Sequence, residues 1–114
     1  MHATSLTALV EEKLAEAREH HSGRSAVTVH GGRENALRQT MVALAEGHVL
    51  GEHESPAEAT LQVLRGRVRL STADDTWEGG ESDFLVIPPE RHDLSAITDS
   101  AVLLTVSLHR PTVV

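Results

Sequence analysis

The stretch GHVLGEHESPAEATLQVLRG, Gly47–Gly66, places His53 just ahead of an apolar, β-branched run. A second histidine, His92, stands 39 positions later in FLVIPPERHDLSA, Phe84–Ala96. Both adjoin strand-like segments, and the chain between them is long enough for a small antiparallel meander. A β-barrel brings two distant imidazoles into one pocket in this way.

The rest of the chain divides into a short helical lead and a long β body. From Thr4 or Ser5 to about His21, Leu6, Val10, Leu14 and Ala17 recur at steps of three and four, with Leu9 beside them, as one narrow apolar stripe. A Thr4 or Ser5 hydroxyl can cap its start, and Gly23 is a natural stop. Residues 1–24 thus read as a helical extension and residues 25–114 as one barrel domain. Candidate strands are Ala26–His30, Leu37–Ala45, His48–His53, Thr60–Arg65, Val68–Ser71, Thr76–Glu78, Phe84–Ile87, Arg91–Ala96 and Ala101–Leu108. Glycine, proline and aspartate punctuate them at short intervals, the pattern of an all-β sandwich or barrel.

Composition excludes several functions. A chain of 114 residues makes one domain with a single core. A net charge of −7 with one lysine and nine scattered arginines leaves no basic face for a phosphate backbone, so nucleic acid is not an expected partner. Cysteine is absent, which removes disulfides, thiolate catalysis and thiolate metal sites. No apolar run approaches the roughly 18 residues of a membrane span, and the N-terminus has no basic lead into an apolar core, so a cytoplasmic location is expected. Trp77 and Phe84 are the only aromatic residues, too few for a site that stacks sugars or bases.

Strand parity directs the candidate site. On a strand over Arg91–Ala96, His92 shares a face with Leu94 and Ala96, while Arg91, Asp93 and Ser95 face the other way. The apolar companions turn His92 inward, where an imidazole needs partners for its nitrogens or a metal for one of them. A core histidine bonded to a backbone carbonyl or a water satisfies the same pattern. Arg67 and Arg69 share the face opposite Val68 and Leu70, as a solvated outer face would.

At these two stretches the sequence resembles the cupin superfamily. The first cupin motif runs Gly, five residues, His-x-His, three or four residues, Glu, six residues, Gly. Gly47, His53 and Gly66 match it, whereas Ser55 replaces the second His and Ala59 the Glu. The second motif runs Gly, five residues, Pro-x-Gly-x-x-His. Pro88 matches, Ser82 and Glu90 replace its glycines, and His92 arrives one residue early. The likeness covers roughly Leu37 to Leu108 and implies a cupin-type jelly-roll β-barrel behind one N-terminal helix.

Cupins that bind iron, manganese, nickel or zinc typically use three histidines and one glutamate. The resemblance assigns His53 and His92 to two of those places. Ser55 and Ala59 leave the other two without an imidazole or a carboxylate, a poor shell for a tight divalent ion. Of the nearby groups, alternation puts Glu54 opposite His53 and Glu58 opposite Ala59, while Gln62 and an exposed His48 complete the alternatives.

Three functions follow as expectations. The first is a small-molecule-binding barrel in which His53, Ser55 and His92 are the polar groups among walls such as Leu61, Val63 and Leu94, with or without a weakly held divalent transition metal. The second is a metal-dependent dioxygenase, isomerase or decarboxylase with His53 and His92 as ligands. The third is a scaffold or sensor with a packed interior. A pocket of several hundred Å³ would separate the first from the third. A homodimer is expected, because the apolar stripe of the helix needs cover from its own barrel or a partner's.

Overall fold

Helix α1 (Leu6–Glu19) begins where the Ser5 hydroxyl accepts the Ala8 N–H at 3.2 Å, and it ends with the His20 N–H on the Glu16 carbonyl. Eight strands follow in the computed structural model, which describes residues 1–52 and 58–107. They are β1 (Arg24–His30), β2 (Leu37–Leu44), β3 (Glu58–Arg65), β4 (Val68–Ser71), β5 (Thr76–Gly79), β6 (Phe84–Val86), β7 (Asp93–Ala96) and β8 (Ser100–Ser107). A five-stranded antiparallel sheet has the order β1-β2-β8-β3-β6, and a three-stranded one the order β5-β4-β7. This is the helix-plus-jelly-roll architecture that the sequence implies.

Alternation on β2 shows how one sheet serves two cores. Met41 and Ala43 face the helix and pack with Val10, Leu14, Ala17 and Ala101. Val42 and Leu44 face the other way and join Leu61, Val63, Val68, Leu70, Leu94 and Val102 between the sheets. Burying Val10 and Leu14 contributes about 1.5–3 kcal/mol each. The stripe of α1 is therefore covered by its own barrel. Among the described residues β6 is an edge strand, and Phe84 and Val86 on its outer side are exposed, as are Leu37 and Val49 elsewhere.

One expected strand is not formed as such. Within the described part of His48–His53, the chain runs beside β7 through Leu50 N–H to Leu94 O at 2.8 Å and Ala96 N–H to His48 O at 3.0 Å. The pairing narrows to a single bridge, Val49 with Ser95. Gly51 then turns at φ 94°, and its N–H is taken by the Asp93 carboxylate at 2.9 Å, a side chain standing where a ladder partner would be. β7 likewise starts at Asp93 rather than Arg91. His48 is half-buried rather than exposed, and its ring lies so close over Gly23 that no side chain fits there.

Asp99 ties three parts of the fold together. Its carboxylate accepts the Glu46 backbone N–H at 2.8 Å and Arg18 Nε at 2.7 Å, joining the end of the helix, the β2 exit and the turn before β8. The Glu46 N–H first, and Arg18 second, hold its carboxyl below the usual aspartate range. A depressed folded-state value stabilises the fold above the ordinary aspartate value of about 3.9, and that contribution is lost as pH falls through the folded value. Asp99→Asn should flatten the acid limb of urea midpoints measured from about pH 7 to about pH 3. An acid limb unchanged in the variant would assign that limb to other groups.

Candidate functional site

His92 is held by the turn ahead of β7. The chain turns through Pro88-Pro89, with the Glu90 N–H on the Pro88 carbonyl at 2.7 Å, and this brings the Glu90 carbonyl to 2.8 Å from His92 Nδ1. A carbonyl only accepts, so Nδ1 carries the proton; in the neutral ring Nε2 is then the lone-pair nitrogen. The ring is 3% exposed and shares its face with buried Leu94 and Ala96, whereas Asp93 and Ser95 are only half-buried.

His92 forms part of the wall of a cavity of about 40 Å³ between the sheets. Ala59 and Leu61 of β3, Leu104 and Val106 of β8, Leu70 and Leu94 form most of the remainder, closed by Leu50 and Ile87. Eight of the nine lining residues are aliphatic, which leaves His92 as the polar group of the described wall. The volume is far below several hundred Å³, because leucines from both sheets meet across the space, so on size alone the described wall is closer to a packed interior than to a ligand pocket. It is about a quarter of the roughly 150 Å³ void that takes a benzene ring.

The structure thus brings together three of the residues singled out in the sequence, His92, Leu61 and Leu94. Val63 is fully buried in the same core but is not part of the cavity wall. His53 and Ser55 lie outside the described residues, as does Glu54. Glu58 and Gln62 are exposed on β3. Sequence reasoning missed Leu50, Leu70, Ile87, Leu104 and Val106 as walls, although the alternation on β4 and β8 carried the signal for three of them.

Among the described residues the four-ligand metal shell of the cupins is not matched. Ala59, in the glutamate place, is 6% exposed and forms part of an aliphatic wall. Among the described residues no group of three or more histidine, aspartate or glutamate side chains could hold an ion. Asp93, next to His92, is engaged with the Gly51 N–H.

No family model and no curated protein sequence matches the chain. Solved structures do. A conserved protein of unknown function from Streptococcus pyogenes superposes with a TM-score of 0.72 at 22% identity, over 97% of this chain and 92% of that one. A cupin superfamily protein from Desulfitobacterium hafniense gives 0.65 at 14% identity, over 75% of this chain and 79% of that one. KdgF from Halomonas sp. gives 0.66 at 21% identity, over 82% of this chain and 92% of that one. The chain has the small cupin fold, and at these identities the likeness extends to fold and not to activity. Among the described residues no helix is long and apolar enough to cross a membrane.

Proposed function

We propose that this barrel binds a small molecule without needing a metal, inserting a short aliphatic group of the ligand between the sheets against His92. The observation that carries the reading is one buried, oriented imidazole in an otherwise aliphatic cavity. A wall of that kind excludes water and favours an aliphatic group. The small volume limits the inserted part to a few heavy atoms, so the rest of the ligand stays at the mouth. His53 and Ser55 are proposed as further polar groups of the site. Methyl-resolved NMR of chelator-treated protein, titrated with short aliphatic acids, amides and alcohols, tests this. Saturable shifts of the Leu61, Leu94 and Leu104 methyls are expected, weakened at least tenfold in His92→Ala.

The metal-dependent enzyme is the weaker reading, because Ala59 supplies no donor where a glutamate is needed. A packed scaffold would show none of the expected shifts.

The homodimer is proposed to form through the outer side of β6. Phe84 and Val86 share that face at 61% and 68% exposure, on a strand that, among the described residues, is paired on one side only. A large aromatic exposed beside an open edge favours association. Light scattering at tens of micromolar should give a dimer mass for the native chain and a lower mass for Phe84→Asp. A monomeric native chain would overturn this assembly.

A further inference from the structure

We infer that the ligand is a small aliphatic carboxylate, whose anionic end is held by Arg38 while its hydrocarbon end enters the His92 cavity; this rests on the ligand-binding reading above. Parity on β2 places Arg38 and Thr40 on the same side as Val42 and Leu44, which is the barrel side. Register then sets Arg38 in one row with the cavity wall. Arg38 lies opposite Val106, Val106 lies opposite Ala59, and Ala59 O accepts the Ile87 N–H at 3.0 Å. Val106, Ala59 and Ile87 all form the wall. In the next barrel-side row Thr40 lies opposite Leu104, and Leu104 opposite Leu61, again two wall residues. The inner face therefore passes from aliphatic on β3 and β8 to polar on β2 within two strand spacings, about 10 Å.

Among the described residues the charge of Arg38 is uncommitted, as are those of Arg33 and Arg67; of the three, only Arg38 lies in register with the cavity wall. Lys13, Arg18, Arg65, Arg69 and Arg91 are each paired with a carboxylate, and Arg24 donates to the Leu50 carbonyl. Arg38 is exposed and makes no hydrogen bond or ion pair with any described residue. Edge protection does not require it, since β2 lies between β1 and β8. Its stem runs under Gly31, where an added methyl would stand 3.2 Å from Arg38 Cγ, so the hairpin leaves room for this side chain. A guanidinium presents a planar fork that matches a carboxylate with two parallel hydrogen bonds. One fork neutralises one charge, which suits a monoanion on a chain of net charge −7.

The experiment compares pentanoate with pentanamide, equal in length and differing in charge, on chelator-treated protein by methyl-resolved NMR. Native protein should bind pentanoate at least tenfold more tightly, with shifts at the Leu61, Leu104 and Val106 methyls. Arg38→Gln should lose that preference while binding pentanamide as before, and Arg38→Lys should keep part of it. Because Arg38 is exposed, neither variant threatens the fold. Equal affinity for acid and amide in the native chain, or unchanged pentanoate binding in Arg38→Gln, would overturn the carboxylate assignment and leave the ligand site standing. No shift with either probe would overturn both.

Discussion

Gly66→Ala is expected to lower stability by about 2–5 kcal/mol, although it adds one methyl group. Gly66 joins β3 to β4 at φ 78°, in the left-handed region that costs an L side chain free energy. A methyl there would also run into the Asp99 carbonyl oxygen and the Ser100 hydroxyl. Neither neighbour yields easily. Ser100 is 1% exposed, its hydroxyl accepts the Arg67 N–H at 3.0 Å, and the Ile97 N–H is on the Arg67 carbonyl at 2.9 Å. Gly47 is the contrast within the same motif, with φ 81° and nothing within 4 Å of an added methyl. Gly47→Ala should cost only about 1–2 kcal/mol. Urea denaturation of both variants decides the matter, and equal losses would mean that φ alone sets the cost. These two motif glycines serve turns, and the likeness to cupins in this region reports fold.

Ala59→Glu is expected to be comparably damaging in the absence of metal. The new side chain must enter a 40 Å³ space lined by leucines, with overpacking of about 1–3 kcal/mol. Among the described lining residues only His92 carries a polar side chain, and a carboxyl oxygen left unsatisfied there adds about 1–3 kcal/mol. Ser55→His together with Ala59→Glu should then convert that penalty into a metal site of three imidazoles and one carboxylate, with His53 and His92. Calorimetric titration with nickel or zinc should show far tighter binding by the double variant than by the native chain, and bound metal should recover stability. Tight binding by the native chain would mean that other residues already complete a shell. No gain in the double variant would mean that the first motif is aligned wrongly.

The parts legible in the sequence are those set by local periodicity. Val10, Leu14 and Ala17 declared the buried face of the helix, and the step of two from His92 to Leu94 and Ala96 matches the burial observed on β7. Less legible was anything fixed by side chains that interrupt a ladder, such as Asp93 taking the Gly51 N–H and ending the expected strand. Leu50 and Ile87 stand in stretches expected as strands, His48–His53 and Phe84–Ile87, but the regular strands end before Ile87 and leave only the Val49 bridge beside Leu50, so their place in the wall is set by the segments' exits from the sheets. Arg38 was invisible as a candidate because its place beside the cavity depends on register with Val106, 68 positions away. Residue types alone do not encode which strand lies next to which.

The central claim is that the His92 cavity takes a ligand without a metal. Titrating chelator-treated protein with pentanoate, then repeating the titration after zinc is added, tests it most directly. The expected result is saturable shifts of the Leu61, Leu94, Leu104 and Val106 methyls in the chelated protein, with unchanged affinity once zinc is present. Shifts that occur only after zinc is added would contradict it.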